Sequence, residues 1–198
     1  MKVSIAAILA GSAAAFAPAS QVGKSSTALM AFENELGAQP PLGFFDPLGL
    51  LKTSDQAKFD RLRYVELKHG RISMLAFLGQ IVTRAGIHFD GSFGDVPIAS
   101  IPSGWAAWSV LPSYGFWQIV LFCGFLELGV MKSVKGDSEF PGDFRNGFID
   151  FGWDTFNDEQ KLQKRAIELN NGRAAMMGIL GLMMHEQIGG TFPVIGPM

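Results

Sequence analysis

Residues 63–79 reappear in altered form at 165–181. At an offset of 102, Arg63 aligns with Arg165, Glu66 with Glu168, Leu67 with Leu169, Gly70 with Gly172, Arg71 with Arg173, Met74 with Met176, Leu78 with Leu180 and Gly79 with Gly181. Eight identities in seventeen positions, including a glutamate and an arginine set among apolar residues, exceed what a shared bias towards helix formers would produce. A repeated segment is a repeated structural unit. The chain therefore has two similar helices that form a pseudo-twofold pair, and any further span is an unmatched addition.

A helix crossing a bilayer needs about 20 residues at 1.5 Å each to cover about 30 Å of hydrocarbon. Tyr114–Met131 is the plainest such segment, apolar apart from Gln118 and Glu127. Leu62–Ala85 and Leu162–Ile188 have apolar centres but carry charges near their starts, so a hydropathy window alone half misses them. Asp55 and Asp60 ahead of the first, and Asp158 and Glu159 ahead of the last, suit helix N-termini; Gly86 and Gly189-Gly190 suit the far ends. The expected architecture is an all-α membrane protein with three transmembrane helices at about 60–86, 113–133 and 158–188, the first and third crossed. Connections 86–113 and 136–157 read as surface loops. Lys132, Lys135, Arg145, Lys161, Lys164 and Arg165 cluster in 132–165, whereas 86–113 holds no Lys or Arg. By the positive-inside tendency the mature N-terminus and the second loop share one side.

Charges inside such spans are costly, about 2.5–3.5 kcal/mol at mid-bilayer, and so are usually paired and functional. Glu66 and Arg71 lie about 140° apart around one helix and make a poor internal pair. Pairing across the two helices, Glu66 with Arg173 and Glu168 with Arg71, neutralises each carboxylate and leaves an oxygen to bind something else. Gly70, Gly79, Gly172, Gly178 and Gly181 would let the backbones come close. His69 follows Glu66 by three positions, and Asn171 follows Glu168 likewise, so each couple shares a helical face. His185 falls about 40° from Asn171 and roughly 21 Å further along, and Gln80 about 20° from His69. These are single oxygen and nitrogen ligands with no convergent cage. That suits a magnesium already held by four ring nitrogens and wanting one axial partner. Taken singly, a buried His is commonly a hydrogen-bonded core residue, and a membrane Asn or Gln is commonly interhelical glue. Glu127 has an awkward alternative partner in Lys132, five residues on.

Composition agrees with a membrane setting: 48% of residues are apolar and 17% charged, against roughly 25% charged in soluble domains. A net charge of −2 leaves no basic stripe, so nucleic acid is not a partner. Cys123 is the single cysteine, which excludes an internal disulfide and a Cys-based zinc site. Residues 1–30 carry Lys2 and Lys24, six Ser/Thr and no acid. Lys2 and the apolar run Val3–Ala10 read as a signal peptide, and Ala17–Met30 as a transit peptide, joined at Ala15-Phe16-Ala17-Pro18. The expected division is a bipartite plastid-targeting presequence, 1–30, and one domain, 31–198; a plain secretory signal is the other reading of 1–30.

Glu66-x-x-His69-Gly70-Arg71, with Glu168-x-x-Asn171-Gly172-Arg173, resembles the first and third helices of the light-harvesting complex family. Phe44–Leu50, Arg61–Met74, Asp143–Gly147 and Phe151–Asp154 are similar to its fucoxanthin chlorophyll a/c branch in diatoms. The resemblance implies that Glu66, His69, Glu168 and Asn171 bind chlorophyll magnesium and that Arg71 and Arg173 form crossed ion pairs. It implies Glu127 as the central-helix ligand, His185 in place of a glutamine of plant relatives, and Gln118 as a weaker candidate, nine residues from Glu127 where plant relatives use eight; Gln80 rests on its spacing from His69. The aromatic segments Phe44–Leu50 and Phe148–Phe156 resemble those that cover carotenoid ends. Chlorophyll a, chlorophyll c, fucoxanthin and diadinoxanthin are the implied cofactors. Thylakoid lipids, other antenna subunits in homo- or hetero-oligomers and a photosystem core are the implied partners, in the plastid thylakoid membrane. The function implied is light harvesting without bond-making chemistry.

Two readings compete from outside the family. A di-iron carboxylate enzyme also uses Glu-x-x-His on helices but needs four of them and a second such motif. A channel or transporter with intramembrane ion pairs would want more than three spans. Inside the family, a photoprotective stress-type member is the alternative to an antenna.

Overall fold

The computed structural model describes residues 32–40, 42–51, 55–131, 138–144, 152–189, 191–192 and 196–197. The presequence 1–30, the cations Lys132, Lys135 and Arg145, and the motif residues 145–151 lie outside the described residues.

Helix α1 spans Gln56–Arg84. It starts at Asp55, whose carboxylate accepts from the Lys58 amide at 3.2 Å, and it stops ahead of Gly86, which turns the chain at a φ of 76°. The expected start near 60 is thus four residues late. Asp60 is not a cap but lies inside the helix, accepting from Gln56 Nε2 at 3.0 Å. Short strands β1 (Ser92–Phe93) and β2 (Val96–Pro97) pair antiparallel, two single helical turns follow at 98–100 and 104–106, and α2 covers Ala107–Val110. The stretch expected as a plain loop therefore has local structure of its own.

Helix α3, Ser113–Phe125, begins after Pro112 and continues as a π-helical turn over Leu126–Val130, with Met131 N donating to Leu126 O at 2.7 Å. It is shorter than the expected 113–133, because the wider turn ends the ladder at Val130. Helix α4 runs Asp158–Ile188, the span expected. Asn157 and Gln160 form a reciprocal capping box at its start, and Gly189 ends it at a φ of 70°. A two-stranded ribbon, β3 (Thr191–Phe192) with β4 (Gly196–Pro197), follows.

At 1.5 Å per residue, α1 is about 44 Å long and α4 about 46 Å. Both are longer than the roughly 30 Å of a bilayer's hydrocarbon core. Among the described residues only Ser113–Val130 is long and apolar enough to cross a membrane by length and composition.

α1 and α4 pack directly on each other. They touch at Gly70 and Gly172, where a Cβ on either would lie 3.0 Å from the other's Cα. Further along, the Phe77 ring occupies the space a side chain at Gly178 would need. Gly79 and Gly181, expected to help the approach, have nothing within 4 Å of a would-be Cβ. Nine residues on from the contact, they lie about 180° around their helices, on the faces turned away from it. Leu67 and Leu169, matched in the repeat, are buried beside the contact; Phe32, Phe59, Ala175 and Leu182 are the other buried hydrophobics among the described residues. Each large apolar side chain buried this way contributes roughly 1.5–3 kcal/mol.

Helix α3 stands off this pair, making no more than isolated close backbone approaches to either member. Among the described residues six hydrophobics are buried while 29 large ones are exposed. A chain with so little covered apolar surface needs something apolar around it.

Candidate functional site

The α1–α4 contact carries the charged residues. Arg71 Nε donates to Glu168 Oε1 at 2.5 Å, and Arg173 Nε donates to Glu66 Oε1 at 2.7 Å. Each arginine also donates through Nη1 to a loop carbonyl at 2.8 Å: Arg71 to Gly142, and Arg173 to Gly37. Both glycines have positive φ, 88° and 106°. Leu67 lies against Gly142 and Leu169 against Gly37, so neither glycine has room for a side chain. The correspondence between the two segments thus continues into loops whose sequences do not match.

It fails at one position. Arg63 Nη1 donates to the second oxygen of Glu66 at 2.6 Å and its other arm reaches Leu36 O, so Glu66 is held on both oxygens. The repeat partner Arg165 instead lies over the Phe140 ring, 4.1 Å from its centroid. Glu168 therefore keeps one oxygen that accepts no hydrogen bond among the described residues. The expectation of a free oxygen on both carboxylates holds for Glu168 and is corrected for Glu66. Each carboxylate oxygen has two lone pairs, so Glu66 retains acceptor capacity all the same. A cleft of about 500 Å³ opens beside Glu66 and Arg173, bounded by Pro40, Leu42 and Phe45.

His69 points out from α1 with Nδ1 2.8 Å from Val65 O. A carbonyl only accepts, so Nδ1 carries the proton, and in the neutral ring Nε2 presents a lone pair to the outside. Val65 and Ile72, four before and three after, flank it and are exposed. Asn171 is exposed beside Ile167 and Ala174 in the same relation on α4, and His185 is exposed next to Met184 and Ile188. On α3, Gln118 is exposed among Tyr114, Leu121 and Phe122. Glu127 forms an ion pair with Lys68 of α1, a partner the sequence reading did not name.

Gln80 is tied up at the other end of the helix pair. Its amide sits against Arg84, with 3.1 Å to both Nε and Nη2, and against Glu186. Arg84 and Glu186 form a nearly buried ion pair at 3.4 Å, and Glu186 Oε1 accepts from the Trp105 amide at 2.8 Å. This cluster closes the 98–110 segment onto α4, and beside it Ala76, Trp105, Trp108 and Met183 line a cavity of about 210 Å³. Among the described residues no three His, Cys, Asp or Glu side chains converge on one point.

Residues 32–187 match the family model for chlorophyll A-B binding proteins, well over half of the chain. The chain belongs to that family.

A fucoxanthin-chlorophyll a-c binding protein, chloroplastic, of Trieres chinensis is 69% identical over 204 residues, covering all of both chains. Fucoxanthin-chlorophyll a-c binding protein F of Phaeodactylum tricornutum is 62% identical over 192 residues, 96% of this chain and 97% of the relative. Protein A of Macrocystis pyrifera is 54% identical over 171 residues, 83% of this chain and 77% of the relative.

A chlorophyll A-B binding protein needs lone-pair donors of the right hardness set in outward apolar surfaces, and the residues present fit. Magnesium takes oxygen and imidazole ligands rather than sulfur. His69 offers an oriented imidazole nitrogen and Glu168 a spare carboxylate oxygen already neutralised by Arg71. Around His69, α1 exposes branched apolar residues one turn either side, Val65 and Ile72, as a flat hydrophobic macrocycle requires.

Proposed function

We propose that this protein is a light-harvesting antenna of the chloroplast thylakoid membrane, binding chlorophyll a, chlorophyll c and fucoxanthin. The observation that carries this reading is the pair of glutamates at the α1–α4 contact. Each is neutralised by the other helix's arginine, beside outward donors set in apolar surface. The family and the names of the relatives support it, and the family is a pigment-binding one rather than a family of enzymes. The enzyme and transporter readings have nothing comparable behind them.

The finer reading follows from the same geometry. α1, α3 and α4 are three membrane crossings, with α1 and α4 related as a pseudo-twofold pair. Glu66, His69, Glu127, Glu168, Asn171 and His185 would hold the magnesium of bound chlorophylls; Gln118 would be a weaker holder, and Gln80 the weakest because Arg84 and Glu186 engage its amide. Arg71 and Arg173 hold two of the glutamates in place without ligating. The loop about Phe44–Leu50, beside the Glu66 cleft, and the cavity at Trp105 and Trp108 receive carotenoid ends, diadinoxanthin among the candidates. Residues 1–30 direct the chain to the plastid and are removed. Antenna subunits of this family associate with photosystems and with one another; thylakoid lipids cover the remaining apolar surface.

Bound pigments supply absorption and the transfer of excitation. The chain supplies geometry. Crossed ion pairs between two long helices fix the positions of Glu66 and Glu168, and the contact with Val65 O orients the His69 ring. Exclusion of water by apolar flanks keeps the environment of each ligand constant.

The test is to isolate the protein from thylakoids in mild detergent, chromatograph its pigment extract, and record the excitation spectrum of chlorophyll a emission. Green-absorbing carotenoid bands in that spectrum are expected. A pigmented protein whose carotenoids do not feed chlorophyll emission would overturn the antenna reading.

A further inference from the structure

We propose that Lys68 is the positioning residue for Glu127, bringing to the central helix a cation that its own sequence within one turn lacks. The inference rests on the reading of Glu127 as a magnesium ligand.

Glu127 sits in the π-helical turn of α3, a geometry that recurs at functional sites because the wider turn re-aims a side chain. The positions one turn away on either side, Cys123, Gly124, Val130 and Met131, carry no charge. The carboxylate is partly exposed, at 43%, in a segment otherwise surrounded by apolar side chains. It thus has the same need for a counter-charge that the α1–α4 contact meets for Glu66 and Glu168.

Lys68 meets it from another helix. It is two residues from Gly70, hence about 200° around α1 from the contact with α4, on the side away from the crossed pairs. Its Nζ forms the ion pair with Glu127 Oε2 and lies 5.4 Å from the centroid of the Tyr64 ring, one turn back on the same face. Tyr64 packs edge-on to Phe144, so the aromatic floor under Lys68 is itself held. Because α3 makes only isolated close approaches to α1, this ion pair is also a direct protein link across that gap. Lysine suits the role by its shape: a point charge engages one oxygen, whereas a guanidinium fork tends to take both. The second oxygen of Glu127 accepts no hydrogen bond among the described residues and would be the atom that holds a pigment's magnesium.

The experiment refolds the full mature chain with a total pigment extract and counts chlorophylls per protein by chromatography. Glu127→Ala is expected to lose one chlorophyll, and Lys68→Met the same one, recognised by its difference absorption band. The double variant Lys68→Met/Glu127→Gln is expected to regain it, since a neutral amide oxygen ligates magnesium without a counter-charge. A merely structural role for Lys68 gives no such rescue. Full retention of chlorophyll by Glu127→Ala would sink the ligand reading of Glu127. Loss by Glu127→Ala with full retention by Lys68→Met would overturn the Lys68 inference alone. Loss or failed refolding in Lys68→Met that Glu127→Gln does not reverse would overturn it as well.

Discussion

Replacing Arg71 by Leu should damage the protein more than replacing Arg173 by Leu, although the two positions are equivalent in the repeat. Each substitution removes one guanidinium–carboxylate bond and one bond to a loop carbonyl. A hydrogen bond to a charged group is worth about 1.5–3 kcal/mol, and that loss is common to both. The difference lies in what stays behind. Without Arg173, Glu66 keeps Arg63 on its other oxygen. Without Arg71, Glu168 has no cation within bonding distance among the described residues. An unpaired carboxylate in a membrane helix costs about 2.5 kcal/mol or more. Glu168 is 28% exposed in the chain itself, so about half of that is a fair figure, near 1–1.5 kcal/mol. That corresponds to roughly a five- to tenfold lower equilibrium constant for assembly. The assay is refolding with a pigment extract, followed by thermal loss of carotenoid-to-chlorophyll energy transfer. Equal destabilisation by the two variants, or a worse outcome for Arg173→Leu, would refute the role assigned to Arg63. Assembly of both at wild-type yield would refute the crossed pairs as a structural requirement.

Three further outcomes are expected. Gly172→Val places a branched side chain against the Gly70 backbone, which has no flexible atoms to yield; a cost of about 1–3 kcal/mol should appear as a lower melting temperature of the pigmented protein. Gly104→Ala should be damaging on two counts: its φ is 80°, and the new methyl would overlap the Glu186 carboxylate that holds Trp105 and Arg84. Limited proteolysis should then find the 98–110 segment opened. His69→Ala should remove one chlorophyll, counted by chromatography, while far-ultraviolet circular dichroism stays unchanged, because His69 is exposed and bonds only to its own helix.

Much of the site was legible because the repeat constrains it twice. Glu66 and Arg71 cannot face each other on one helix, and a second copy of the same couple offers each a partner. Geometry on a single helix then leads to the cross-helix pairs. Arg63 was visible as an identity in the repeat, and its (i, i+3) spacing allowed it to grip Glu66. Arg165 has the same spacing to Glu168 and turns to Phe140 instead, a difference no spacing rule told. That divergence depends on the loop residues near each, Leu36 in one case and Phe140 in the other. Lys68 was missed for a related reason. Its partner is 59 residues away on a helix with no counterpart in the repeat, so no pattern pointed to it. Arg84 and Glu186 stand 102 apart, at the repeat offset itself, but being unlike they left no trace in a comparison built on identities.

From the residues in order came the long helices, the glycines beyond their far ends, the doubled Glu–Arg couple and the outward His69 and Asn171, since each of these follows from spacing along a helix or from the chemistry of a single turn. The starts were read only in part, Asp60 lying inside α1 and Asn157 capping α4. Which glycines touch, which glutamate is held by two arginines and which cation reaches Glu127 were decided by tertiary structure. Those choices depend on distances between segments that are far apart in the chain, and α1 and α4 come within backbone contact at one pair of glycines before diverging.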